Sequence, residues 1–145
     1  MATWAELERD DPDLALFGRE RIEGHVCFQA TLREDGSPRV HPVSPWFGAG
    51  LLVVAFRARS PKVREVARDG RYALHTQMAS HEGKGGEFLV SGWMERLANH
   101  HPAANVRPYT ASYELAMYAM SIEEAVGTTY ETGPPTYRRW PEPVG

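Results

Sequence analysis

Apolar residues recur at helical spacing over the first twenty-odd positions and switch to strict alternation from His25 onward. Thr3, with Glu6 three positions later, forms a capping-box pattern for a first helix. Asp11 before Pro12 restarts that logic, because proline is favoured at the first helical position. Leu14 and Phe17 then share one face, and Gly24 closes the region. Beyond it, Val26, Phe28, Ala30 and Leu32 alternate with His25, Cys27, Gln29 and Thr31, which predicts a half-buried strand.

The rest of the pattern is a succession of short strands with two helical connections. Glu34-Asp35-Gly36-Ser37 carries Asp-Gly, a hairpin signal, and a second strand follows over residues 38–45. Gly48-Ala49-Gly50 makes another turn. Residues 51–56 are apolar at every position, which predicts a strand covered on both faces. Ser60 and Pro61 open a helix that reaches Arg68. Residues 72–78 and 87–96 read as strands around a Gly- and Lys-bearing loop, 79–86. Residues 99–109 read as a second connecting helix, and 113–122, 126–131 and 136–140 as further strands. Six to eight strands without regular strand–helix alternation fit a closed antiparallel barrel better than a doubly wound parallel sheet.

Composition narrows the classes. A chain of 145 residues without repeat or linker reads as one domain, 1–145, with an N-terminal helical segment over 1–24. A net charge of −3 gives no electrostatic footprint for nucleic acid. The single cysteine, Cys27, excludes an internal disulfide. No run approaches the ~20 apolar residues of a membrane span. The N-terminus is acidic, with Glu6, Glu8, Asp10, Asp11 and Asp13, where a signal peptide would be basic and then apolar. The expectation is a cytoplasmic protein with neither a nucleic-acid nor a membrane partner.

Two stretches carry candidate chemistry. In the first, a buried strand ending at Phe56 runs into a helix start with three cations, Arg57, Arg59 and Lys62. A helix N-terminus suits an anion, Ser60 offers a hydroxyl and Lys62 an ammonium. The alternative is a solvated basic loop balanced by Glu65 and Asp69. In the second, residues 30–44, the second hairpin strand ends in Pro42 and Pro45, which place it at an edge or a bulge. Unpaired backbone there can face a flat heteroaromatic ligand; an ordinary edge strand is the alternative. The six histidines form no metal-ligand spacing, and Gly83-Lys84-Gly85-Gly86 is not a phosphate loop. Trp140 before Pro141 reads as a packing anchor or as the cap of a site shared in a dimer.

The ordered set ATLREDGSPRV, a buried strand, RARSPKVREVARDGRYALH and GEFLVSGWMERL resembles the pyridoxamine 5′-phosphate oxidase-like FMN-binding split-barrel family over residues 30–97. The resemblance implies a six-stranded antiparallel split β-barrel that works as a homodimer with flavin at the interface. It maps the flavin strand onto Arg39, Val40, His41, Pro42, Val43 and Ser44, and the phosphate-binding Ser-x-Lys onto Ser60 and Lys62, with Arg57 beside them. Ala55 and Phe56 match the strand before that loop. Glu87 stands where oxidase members often carry Gln near the flavin pyrimidine edge, and Trp140 matches a C-terminal Trp that reaches the partner's cofactor. Vitamin B6 oxidases carry Lys where this chain has Ser44 and end in an Arg-x-His segment that is absent here. The implied activity is therefore hydride transfer through flavin N5 to or from another small molecule. The deazaflavin F420 is an alternative cofactor, with Arg57, Arg59, Arg64 and Lys84 as cations for its longer tail. A non-catalytic flavin or haem binder, with His41 or His75 as axial ligand, is a third reading.

Overall fold

The computed structural model describes residues 1–131 and 133–144. Two short helices lead, α1 (Trp4–Asp10) and α2 (Pro12–Ile22). The Glu6 carboxylate accepts from the Thr3 amide while the Thr3 hydroxyl accepts from the Glu6 amide, so the capping box is closed. Asp11 caps α2 by accepting from the Leu14 amide, with Pro12 in the first helical position. Eight strands follow: β1 (Cys27–Leu32), β2 (Pro38–Val43), β3 (Trp46–Gly48), β4 (Leu51–Arg57), β5 (Arg71–His75), β6 (Glu87–Leu97), β7 (Leu115–Thr129) and β8 (Thr136–Trp140). Helix α3 (Pro61–Arg68) connects β4 to β5.

All the strand pairings are antiparallel, in the order β2-β1-β5-β6-β7-β4-β3, with β8 added alongside β7. The sheet curls into a barrel that is split. Its two ends, β2 and β3, follow one another in the chain through Ser44 and Pro45 yet do not pair. The short β3 and the C-terminal β8 bring the count to eight strands rather than six.

Three expectations need correction. The segment 99–109 holds only a five-residue 3-10 turn, Pro102–Val106, because Pro102 and Pro108 bracket too short a run for an α-helix. The two strands read over 113–122 and 126–131 are one fifteen-residue strand, β7. It continues past Glu123 because a bulge opposite Ser91 and Gly92 absorbs an extra residue. Strand β1 is half buried, but the enclosed half is the more polar one. Cys27, Gln29 and Thr31 point into the barrel, while Val26 and Phe28 are 42% and 46% exposed. Pairing decides this, since those three face Val43, His41 and Arg39 of β2 on the inner side.

Helices α1 and α2 close the barrel end next to Gly50 and Gly127, and α3 covers the end at which β4 finishes. Trp4, Leu7, Leu14 and Ile22 from the first pair join Phe88, Val90, Leu74 and Met120 in the main core. Each such large side chain contributes roughly 1.5–3 kcal/mol on full burial. A smaller cluster of Trp46, Val53, Ala103 and Met117 packs on the outside of β4, which explains why residues 52–54 are buried on both faces. No helix among the described residues is long and apolar enough to cross a membrane.

The barrel interior also holds a polar pair. His41 donates from Nε2 to Gln29 Oε1 at 3.2 Å, and Gln29 Nε2 faces the sulfurs of Met94 and Met120, each at 3.4 Å. His41 Nδ1 has no partner. Burial, reinforced by the charges of Lys62 and Arg39, pushes the imidazole down from 6.5 to about 4.

Two outcomes follow from these contacts. At Gly92 a Cβ would run into the Ser121 backbone carbonyl across the bulge, so Gly92→Ala is expected to cost on the order of 1–3 kcal/mol in a urea unfolding curve. The folded state keeps His41 neutral while the unfolded chain protonates near 6.5, so this group's contribution is full above that pH. It is lost as pH falls toward about 4. A stability–pH profile of His41→Gln, compared with wild type, should lack that part of the acid-side decline.

Candidate functional site

The split in the barrel is where the chemistry collects. Pro42 and Pro45 cannot donate backbone hydrogen bonds, so β2 ends as an edge at Val43. Across the opening, β4 runs on to Arg57 and turns at Ala58–Arg59 into α3. A cleft of about 390 Å³ occupies the gap. Val26, Pro42, Val43 and Ser44 line one wall and Ala55, Phe56 and Arg57 the other. Lys62 enters from the first turn of α3, and Tyr109, Tyr113 and Leu115 close the side from the chain leading into β7.

Local sequence sets the Lys62 position. Ser60 caps α3 by accepting from the Lys62 amide at 3.2 Å, and Pro61 takes the first helical place. The Lys62 ammonium lies 5.1 Å from the centre of the Phe56 ring. Burial holds its pKa below the ordinary lysine value; Arg39 adds to the shift and Glu65 opposes it. Glu65 is bound to Arg39 at 2.6 Å, and Lys62 has no ion-pair partner among the described residues. The Arg57 guanidinium stacks 5.0 Å from the Tyr113 ring, which holds a second cation at the rim. An uncompensated cation at a helix N-terminus suits an oxyanion, and the apolar slot beside it suits a flat ring.

Seven residues singled out in the sequence therefore meet in one cleft: Pro42, Val43, Ser44, Ala55, Phe56, Arg57 and Lys62. The others lie elsewhere in the protomer. Ser60 is the cap just behind Lys62. Arg39 faces the opposite side of α3 with Glu65, Val40 is 68% exposed on the outer sheet face, and His41 is enclosed in the barrel. Glu87 sits at the start of β6, accepting from the Tyr130 hydroxyl at 2.6 Å with His75 Nε2 at 3.3 Å. Trp140 pairs with Ala125 and packs on the main core. Sequence reasoning missed Val26, Tyr109, Tyr113 and Leu115. The aromatic pair was the available signal, hidden inside a segment read partly as helix.

No protein-family model matches the chain, and no curated protein matches it significantly. Solved structures do. A heme-binding protein from Mycobacterium smegmatis superposes with a TM-score of 0.61 at 15% identity, over 95% of this chain and 58% of its own. The chain thus spans under two thirds of that protein's length. An F420 reductase superposes at 0.59 with 14% identity, over 74% of this chain and 94% of its own. A Clostridium acetobutylicum protein of the pyridoxinephosphate oxidase family, related to general stress protein 26 of B. subtilis, superposes at 0.60 with 12% identity, over 94% and 96%. The antiparallel order, the unpaired β2–β3 seam and these superpositions together give the chain the pyridoxamine 5′-phosphate oxidase-like split-barrel fold.

Proposed function

We propose that the protein is an FMN-binding oxidoreductase acting in the cytoplasm, with hydride transfer to or from a small molecule other than a vitamin B6 phosphate. One observation carries this reading: Lys62, partly buried and without an ion-pair partner among the described residues, stands at the α3 N-terminus on the floor of the cleft. A phosphate there would meet the ammonium and the first-turn amides of α3, with Arg57 as second cation. The ring would lie between the Pro42–Ser44 edge and Ala55–Phe56. Bound flavin supplies the redox chemistry; the chain's part is to hold the phosphate, shape the slot and leave one ring face open.

The working unit in this reading is a homodimer. Cross-strand pairing sets Phe28 beside Pro42 and His75, and Ala30 beside Val40 and Ala73, on the outer face. Phe28, Val40 and Trp93 are 46%, 68% and 36% exposed, an apolar surface that a second copy would cover. Glu87 and Trp140 of one protomer would then complete the cleft of the other.

Two other cofactors share the fold's neighbours. F420 would find Arg57 in the cleft, but Lys84 lies in a separate surface pocket beside Arg21 and Gly85, and Arg64 lies across α3. Haem would use His75 rather than the enclosed His41. His75 is partly exposed on the apolar face, and its Nδ1 donates to the Thr76 carbonyl at 2.6 Å; its Nε2 would have to leave Glu87, 3.3 Å away, to meet an iron.

Denaturing the purified protein should release FMN, and titration with FMN, F420 and haem under equal conditions should rank FMN first. Lys62→Ala is expected to weaken FMN by about 1.5–3 kcal/mol, roughly ten- to 150-fold. Unchanged affinity would remove the phosphate assignment. Light scattering should give a dimer. Phe28→Asp should shift it to monomer and lower FMN affinity together; a monomer that binds FMN normally contradicts the shared site.

A further inference from the structure

On the other side of α3 from the cleft lies a second cavity, of about 410 Å³, between that helix and the tip of the β1–β2 hairpin. It shares no lining residue with the cleft. Four arginines line it, Arg33, Arg39, Arg64 and Arg68, together with three acids, Glu34, Asp35 and Glu65. Two of these acids are already engaged. Glu65 accepts from Arg39 Nη2 at 2.6 and 3.2 Å. Asp35 accepts from the amide and hydroxyl of Ser37 at 2.9 and 2.6 Å. Arg33 donates to the neutral carbonyl of Pro38 at 2.7 Å. Arg64 and Arg68 have no ion-pair partner among the described residues. They stand four positions apart on α3, a spacing at which like charges repel; Arg68, in the last turn, suits the helix C-terminus, whereas Arg64 has no such role.

Arg39, which lines the cavity, adds an independent observation. Its Nη2 is held by Glu65, but its Nε is buried without a hydrogen-bond partner. A buried donor left unmet is costly, and a guanidinium N–H can be met only by an acceptor.

We propose that this cavity is a second oxyanion site, taking the phosphate or pyrophosphate group of a small molecule independently of the cleft. Guanidinium forks from the hairpin and from α3 approach such a group from two directions, as its tetrahedral oxygens require. Glu65 is the built-in counter-ion: it keeps part of Arg39 engaged, so its charge sets how tightly the anion is held.

Pyrophosphate titrated calorimetrically into the full chain, without added cofactor, tests this. Saturable binding is expected, at least tenfold weaker in the R64Q/R68Q double variant, whose FMN affinity stays within twofold. Lys62→Ala should show the opposite pattern, and Glu65→Gln should bind pyrophosphate more tightly. Both arginines are exposed and unpaired, so the double variant should keep the wild-type melting curve. Absence of pyrophosphate binding at millimolar concentration, or equal affinity in the double variant, overturns the site. A parallel loss of FMN affinity overturns its independence, and citrate bound as tightly as pyrophosphate overturns the phosphate assignment. If FMN fails to bind while pyrophosphate keeps its dependence on Arg64 and Arg68, the site stands and the flavin reading alone falls.

Discussion

Everything at the cleft depends on a pairing that does not form. Strands β2 and β3 are joined through only Ser44 and Pro45, yet they sit at opposite ends of the sheet order. A barrel closed by backbone hydrogen bonds across that seam would leave no opening. Pro42 and Pro45 keep it apart by removing donors from the strand end that would bridge it. The free edge is kept from open-ended pairing by its short length and by its proline content. The opening is therefore a consequence of local backbone chemistry, and the side chains around it inherit their positions from that.

Helix α3 is the second organising element, because it divides the basic residues between two environments. Arg39 is neutralised by Glu65 on one side, and Lys62 is left without a partner on the other. The same two cations, together with burial, keep His41 uncharged inside the barrel. Had Glu65 paired with Lys62, Arg57 at the rim would be the cleft's remaining unpaired cation and the orphaned charge would be Arg39. The asymmetry is fixed by Arg39: Glu65 is a helix neighbour of Lys62, but its carboxylate is taken by the β2 guanidinium at 2.6 Å.

Much of this was legible in the sequence. Ser60-Pro61 set the start of α3, Asp35-Gly36 the hairpin, and the prolines the edge. Both N-terminal caps form as the residue types dictate. Seven of the cleft residues come from those two stretches. What periodicity could not supply was sidedness. The alternation in β1 marks two faces without saying which is enclosed, and the apolar set lies outward. Nor could it show that Glu123 and Glu124 continue one strand, since the bulge that accommodates them depends on Gly92 in a partner strand. Tyr109 and Tyr113 escaped notice because their place is set by a loop with no period of its own.

Strand β7 has one more implication. It pairs with β4, β6 and β8, and through Val53–Ala119 and Phe56–Ala116 it alone fixes the inner edge of the β4 wall, β3 being on the other side. The chain reaches β7 long after it has passed Phe56 and Lys62. Assembly of the cleft must therefore wait for a contact between segments far apart in the chain, of the kind that slows folding in proteins of high contact order. Without β7 docked, the α3 turn would keep its local cap while the β4 wall beside it lost its partner strand. The geometry of the cleft is then only as stable as the long-range β4–β7 pairing behind it.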